Sequence, residues 1–529
     1  MIRTALYLAV ILLAILCGIA APALTLNPYE SHTDGVARSE IDDLVLAKLE
    51  RLNVQPAALC SDGVFVRRAY LDIIGTLPSG QEAKDFVMDR SPGKRRALID
   101  RLLARDEFPD YWAMKWSDLL RVKAEFPVNL WPNAAQAYHR WIRTAIKENR
   151  PYDEFVRELL TASGSNFRVA PVNFYRAMQN KDPQTIAQTV ALTFMGTRAD
   201  KWPKDRLAGM AAFFSKVGYK HTAEWKEEIV FFDPGKTNGP ATNCVVAAAA
   251  VFPDGTAARF SADQDPREAF ADWLIDPKNP WFTRNIANRV WSWLLGRGII
   301  HEPDDIRPDN PPSNPELLAY LERELIASHY DLKHLYRLIL NSRTYQLSSL
   351  PKTDSPEGDA NFSHYLLRRL EAEVLIDALD EITGTTEQYS SAIPEPFTYI
   401  PESHRSITLP DGSITSSFLE LFGRPSRDTG LESERNNRPS ADQRLHLLNS
   451  SHIQRKIDQC RMVQNLTQTK KTPREIATGM YLGILSRFPT ETELQNIEAY
   501  FQAGKVKTRE AAADLAWALI NSAEFLYRH

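Results

Sequence analysis

At 529 residues, with 43% hydrophobic and 25% charged side chains, the chain has the balance of an ordinary globular protein and room for two or three packed domains. Its formal charge of -4, from 63 basic and 67 acidic residues, provides no global positive field for a phosphate backbone, which excludes nucleic acid as the expected partner. The 33 prolines and 11 tryptophans fall mostly in short turn-like phrases between helical stretches, not in a low-complexity tract.

The N-terminus reads as a secretion signal over residues 1–23: Arg3 supplies the positive start, residues 5–20 are nearly all apolar, and Ala21-Pro22-Ala23 offers a small-x-small cleavage site. A secreted or periplasmic protein is the expectation. An uncleaved anchor and a lipid at Cys17 are the alternatives, the second disfavoured by bulky Leu16. No other uncharged apolar run reaches bilayer length, so no transmembrane span is expected once the signal is removed. Cys60, Cys244 and Cys460 then remain, far apart and odd in number. They allow one bridge at most, and burial as small apolar side chains is the simpler expectation.

The spacing of Ile41, Val45 and Leu49 predicts a first helix over 39–52, and a second starts at Asp62 with Val66, Tyr70 and Ile73 on one face, Arg67, Arg68 and Asp72 on another, and Gly75 as its stop. Ser79 with Glu82 forms a capping-box pattern, and Ser91-Pro92 offers a cap with proline in the first turn. Trp112, Trp116, Leu119 and Leu120 make an aromatic helical face that serves either as a carbohydrate platform or as core; helical spacing favours core. Helices follow over 133–147, 152–162, from Asp182-Pro183, and over 207–217. Residues 37–218 thus read as a helical domain.

Short apolar runs at 228–232 and 244–252, separated by Asp233-Pro-Gly, predict a small β insertion over 219–262. Gly235-Lys236-Thr237 resembles the end of a phosphate loop, but Val230 stands where the first glycine is required. Helical patterning resumes over 263–529. The densest stretch is 281–321. Phe282, Ile286, Val290, Trp293 and Leu294 form a buried stripe ended by Gly296, an acidic proline-rich loop follows over 301–310, and Asn314-Pro315 caps a new helix. Asn285 and Arg289 share a face at i, i+4, within reach of that loop. A long helix is expected from Leu366 to near Gly384, residues 386–413 read as irregular, and helices return over 443–459, 473–486, after Thr490, and into Phe525. The fold class is mainly α, with two multi-helical domains around the small β insertion.

Long phrases in both halves carry a resemblance. Residues 65–78 (FVRRAYLDIIGTLP), the YWAMKWSDLLRV run, residues 149–157 and Asp182-Pro-Gln184 resemble the PSCyt-type domain of large planctomycete secreted proteins. The run NPWFTRNIANRVWSWLLGRGII, NPPSNPELLAYL, the 421–427 phrase LFGRPSR and the 521–526 phrase NSAEFL resemble its usual companion, the PSD-type domain. These families are largely of unknown function. Some members carry a cytochrome c domain, but this chain has no C-x-x-C-H, which disfavours c-type haem. The resemblance also implies Cys/His-rich phrases before the helix ending in AAFF and after GRPSR, where this chain reads 196–203 (GTRADKWP) and 429–435 (TGLESER) instead. Loss of both together fits one metal or redox site absent from this variant, so no cofactor is expected.

No G-x-S-x-G, H-E-x-x-H or Walker sequence occurs, so the common hydrolase and nucleotide signatures are missing. Glu302, Asp304, Asp305 and Asp309 form a pattern that could hold a hard cation such as Ca²⁺, or else a solvated loop paired with Arg284, Arg289 or Arg307. Arg424 and Arg427, near Glu432, Glu434 and Arg435, form a second charged cluster, either an internal ion-pair network or an anion site, with His404 close by in sequence. The candidate polar cluster is therefore Asn285, Arg289, Glu302, Asp304, Asp305, His404, Arg424 and Arg427, with Asn285, Arg289 and Asp305 facing Arg424 and Arg427. The functional expectation is a secreted helical binding or scaffold protein in polysaccharide handling, partnered by polysaccharide or other exported proteins. A glycan-directed hydrolase is the alternative, and electron transfer is a weaker third.

Overall fold

The structure is a computed structural model that describes residues 27–31, 36–236, 250–261, 263–400, 404–468, 471–503 and 506–529. The expected signal peptide, Cys17 and Cys244 lie outside them. The chain is mainly α-helical with small antiparallel sheets. Most of its buried apolar side chains form one core that extends from Ile41 to Phe525, with a small separate cluster of Ala57, Leu59 and Leu347. Among the described residues, no helix is long and apolar enough to cross a membrane.

Local chemistry sets most helix starts. Ser79 and Glu82 close a capping box on Gly80–Met88, Asp182 accepts from the Thr185 amide at the start of Pro183–Val190, and Asn314 and Asp331 cap Pro315–Ala327 and Leu332–Leu340 in the same way. The expected Ser91 cap is not used. The helix Lys94–Leu103 begins after Gly93 in the left-handed conformation, while Asp89 accepts from the Ser91 amide at 2.8 Å and turns the chain before the helix. Trp112 and Trp116 are core: the Trp112 indole donates to Ile73 O at 3.0 Å and its ring lies 5.3 Å from that of Trp293.

Two further helices differ from the periodicity. Leu366, Leu367 and Leu370 suggest a helix from 366, but it starts at Ala372, because Arg368–Arg369 form a strand antiparallel to Tyr527–Arg528. Arg368 then donates to the carbonyls of Trp293 (2.7 Å) and Leu294 (2.8 Å), satisfying the open C-terminal end of Phe282–Leu295. The expected 443–459 helix is two, Ala441–Asn449 and Ser451–Asp458; the Ser450 hydroxyl accepts from the Ile453 amide and so starts the second.

The β element is a three-stranded antiparallel sheet, Gly164–Ser165 beside Glu228–Phe232 beside Val217–His221. One of its strands comes from the helical N-terminal part. Of the expected 244–252 strand, residues 244–249 lie outside the described ones and Val251 makes an isolated bridge to Ala257. The turn over 222–227, between the two longer strands, faces the long loop before Pro132–Lys147, and this juxtaposition positions the site described next.

Candidate functional site

Of the charged residues singled out in the sequence, Arg289 and Asp304 fall in one largely buried network and Arg424 and Arg427 in another. In the first, Arg289 donates to Asp304 at 2.7 Å and to Glu432 at 3.2 Å, the Glu432 amide donates back to Asp304 at 2.6 Å, and the Trp293 indole donates to Glu432 at 3.2 Å. Asn285 lies beside it but donates to Thr193 O at 3.0 Å. Gly196, at φ +61°, packs so closely there that a Cβ would stand 2.5 Å from Asn285 Oδ1 and 2.8 Å from Pro303 O. The remaining loop carboxylates take arginines at the surface, Glu302 with Arg198 at 3.2 Å, and Asp305 and Asp309 with Arg307 at 3.2 and 3.4 Å.

Arg424 and Arg427 belong to the second network and share no hydrogen bond or ion pair with Asn285, Arg289 or Asp305. Arg427 donates to Asp118 at 2.9 Å, Arg424 stands 3.4 Å from Glu373, and Arg435 clamps both carboxylates, with bonds of 2.7 and 3.0 Å to Glu373 and 2.7 and 3.2 Å to Asp118. Burial pushes the Glu373 carboxyl up, yet Arg435 and Arg424 outweigh it and hold the pKa down at about 2. The link between the 301–310 loop and the segment after GRPSR is therefore Glu432. His404 joins neither network; its carbonyl accepts from the Tyr389 hydroxyl at 2.9 Å. Carboxylates sealed and bonded in this way hold helices together and present no face to a substrate.

An accessible site lies elsewhere, where three irregular segments meet. Two adjoining cavities of about 680 and 470 Å³ share Asn129, Arg176 and Lys226. The 120–131 loop contributes Glu125, Phe126 and Trp131, the sheet turn contributes Trp225 and Lys226, and Phe397 comes from the Pro-rich stretch of the C-terminal half. The rings cluster without being buried: Trp131 lies 5.8 Å from Phe397 and 6.4 Å from Trp225, while Phe126, Trp225 and Phe397 expose 79, 69 and 53% of their surface. Lys226 Nζ stands 5.0 and 5.3 Å from the centres of the two indoles.

Trp131 carries the strongest local signal. Its backbone, at φ 73° and ψ 146°, is close to a region that only glycine enters freely, at a cost of about 1–3 kcal/mol for a side-chain-bearing residue. The loop enforces that geometry with bonds from Asn129 N to Glu125 O (2.7 Å) and from Trp131 N to Ala124 O (3.2 Å). On the floor of the cleft, Glu228 accepts from Arg176 at 2.8 Å and Lys181 at 2.7 Å. Burial raises its pKa, and the two cations more than reverse that, leaving it below the ordinary glutamate value. Glu125 accepts from the Ala392 amide at 3.0 Å, which ties the loop to the C-terminal half. The sequence reading missed these rings. The one available signal was the placement of tryptophans in turn phrases beside proline and lysine.

Among the described residues, no group of three or more His, Cys, Asp or Glu side chains is arranged to hold a metal ion. Comparison with known proteins finds a match to PSCyt2, a protein of unknown function (DUF1549), over residues 40–217, and to PSD1, a protein of unknown function (DUF1553), over residues 266–501. No curated protein and no solved structure matches the chain. The turn carrying Trp225 and Lys226 falls between the two matched regions, and the chain belongs with the proteins that carry a PSCyt2 domain followed by a PSD1 domain.

Proposed function

We propose that the protein is an exported glycan-binding protein whose ligand lies in the Trp131–Trp225 cleft. The observation that carries this reading is the strained, half-exposed Trp131 within a cluster of exposed rings. A fold that holds an indole against its backbone preference, and leaves its neighbours open to water, is organised for a ligand and not for core packing. A pyranose ring presents an apolar C–H face that packs on such rings, and its hydroxyls meet the polar groups of Asn129, Glu125 and Lys226 at the rim.

Binding without turnover is favoured over hydrolysis. Glycoside cleavage uses one carboxyl kept protonated near neutral pH and a second kept free, whereas Glu228 is doubly paired with its pKa lowered and Glu125 is engaged by an amide. The reading also has the protein work without a resident metal. Both segments where the family resemblance implies Cys/His phrases contact the 301–306 loop, and they do so through Arg198–Glu302 and Glu432–Asp304. Stoichiometric iron, zinc or haem in the purified protein would overturn that part. For the cleft, affinity electrophoresis against a panel of neutral and acidic polysaccharides should reveal retardation that Trp225→Ala weakens at least tenfold with no release of reducing ends. Unchanged retardation in Trp225→Ala, or steady release of reducing ends, would sink the proposal.

A further inference from the structure

A second cavity, of about 610 Å³, opens between the Tyr527–Arg528 strand and the Ala441–Asn449 helix, within the size range of about 300–1,000 Å³ that suits small ligands. Its walls are Leu350, Leu367, Phe422, Leu447, Leu448 and Leu526. Leu350, Leu367 and Leu448 leave 41, 59 and 41% of their surface exposed, which gathers apolar area at a cavity mouth where water gains nothing from it.

The polar part of the lining carries positive charge that no ion pair takes up among the described residues. Arg369 is 6% exposed, and it donates to Gln443 Oε1, to Phe422 O at 2.5 Å and to Asn436 O at 3.3 Å, while its Nε has no partner. Among the described residues it meets no carboxylate, and burial pulls its pKa below the ordinary arginine value. Arg444, also in the lining, is exposed and its side chain makes no hydrogen bond or ion pair among the described residues. Glu524 is the acidic side chain of this lining, and it is already taken by Arg487 at 2.6 and 2.8 Å and by the Tyr29 hydroxyl at 3.2 Å. The His529 carbonyl oxygen is likewise taken by Arg68 at 2.9 Å. An apolar chamber with two arginines lacking an acidic partner is complementary to a molecule with a hydrocarbon tail and an anionic head.

We propose that this cavity binds a single-chain anionic amphiphile, its aliphatic tail among the leucines and its carboxylate or phosphate head against Arg369 and Arg444. The site is independent of the glycan cleft, which is built from other segments.

Titration calorimetry on the full chain, with sodium decanoate, sodium laurate, dodecyl phosphate and 1-dodecanol below their aggregation limits, tests it. The expected result is one site per chain. Laurate should bind about fifteen-fold tighter than decanoate, since two more methylenes are buried at about 0.8 kcal/mol each, and at least tenfold tighter than 1-dodecanol. Dodecyl phosphate binding as well as laurate would show that any anionic head serves; its binding much more tightly would identify a phospholipid-like source. Arg444→Gln should cut the preference of laurate over 1-dodecanol at least threefold, the remainder resting on Arg369, and Leu448→Asp, at an exposed position, should weaken laurate at least tenfold. Binding of several laurates per chain, equal affinity for acetate and laurate, preference for an apolar peptide amide over laurate, or indifference to both variants would each overturn the proposal.

Discussion

Glu373→Gln tests whether the buried arginine cluster joins the two halves of the molecule. Glu373 is fully buried in Ala372–Thr383, receives two bonds from Arg435, and lies 3.4 Å from Arg424. The amide keeps the volume and removes the charge, leaving Arg424 with no carboxylate partner and Arg435 with Asp118 alone. Breaking a buried pair by removing one partner costs about 3–5 kcal/mol, because the surviving cation stays desolvated. Unfolding entropy of about 2.1 cal/mol/K per residue over 529 residues gives roughly 1.1 kcal/mol/K, so the melting temperature should fall by about 3–5 °C if the chain unfolds as one unit. Differential scanning calorimetry reads both the shift and the number of transitions. Replacing Glu373 and Arg435 together by methionine should recover only part of the loss, since Arg424 still lacks a carboxylate and Asp118 keeps Arg427 alone. A loss below 1 kcal/mol for Glu373→Gln, or a shift confined to one of two separate transitions, would refute the reasoning, because Asp118 belongs to the N-terminal half and Glu373 to the C-terminal half.

Two buried groups set opposite pH slopes. Burial pushes Asp377 up to about 7 against the pull of Arg405 and of the Ser406 and Ile407 amides, so the folded state keeps a proton that the unfolded chain releases near pH 4, and stability falls as pH rises from about 4 to 7. Burial, with Arg427, Arg143 and Arg140, pushes His139 down to about 3, so the unfolded chain takes up a proton below about pH 6.5 that the folded one refuses, and stability falls as pH drops from there to about 3. Each slope is at most about 1.4 kcal/mol per pH unit; urea unfolding of Asp377→Asn should flatten the loss between about pH 4 and 7 and His139→Phe should reduce the acid-side loss, and parallel profiles for both variants and the parent would exclude the assignment. Gly196→Ala should destabilise by about 2–5 kcal/mol, from its left-handed φ and a Cβ 2.8 Å from Pro303 O, and Asn285→Ala should not rescue it because that second obstacle is backbone; chemical denaturation showing a loss below 1 kcal/mol would contradict this. At position 131 glycine should be more stable than alanine by about 1–2 kcal/mol, the reverse of the usual order, because only glycine adopts that backbone freely. Alanine equal to or better than glycine in the same assay would remove the strain argument.

Helix starts were legible where they depend on residues three apart. Ser79 with Glu82, Thr490 with Glu493, Asp182, Asn314 and Asp331 all cap as their spacing predicts. What escaped depends on distant partners. Leucines at 366, 367 and 370 satisfy a helical period, but pairing of Arg368–Arg369 with Tyr527–Arg528 decides the backbone, and nothing local announces it. The acidic loop offers four carboxylates to Arg289, and only the tertiary path selects Asp304. Periodicity draws attention to Trp112 and Trp116 because they repeat on one helical face, whereas Trp131, Trp225 and Phe397 belong to three separate irregular segments whose convergence has no periodic trace.

The cleft depends on both matched domains. The loop carrying Trp131 is held from the far half of the chain: Asp411 accepts from the Ala124 amide at 2.9 Å, the Ser413 hydroxyl accepts from the Ala124 and Glu125 amides at 3.1 and 2.9 Å, and the Gly412 amide donates to Val122 O at 2.9 Å. Asp411 is buried, with its pKa raised by that burial, so its carboxylate is an internal template for the loop and not a surface group. A PSD1-side segment therefore braces the PSCyt2-side loop whose own bonds hold Trp131 in its strained conformation. A ligand seated across Trp131, Trp225 and Phe397 would bind only the docked arrangement and would stabilise it by linkage, by about 2.7 kcal/mol at a hundred times its dissociation constant. The same coupling runs in reverse: any substitution that loosens the Asp118, Glu373 and Arg435 junction lowers the fraction of molecules in which the cleft exists. Affinity for the ligand and cohesion of the two halves are thus expected to fall together.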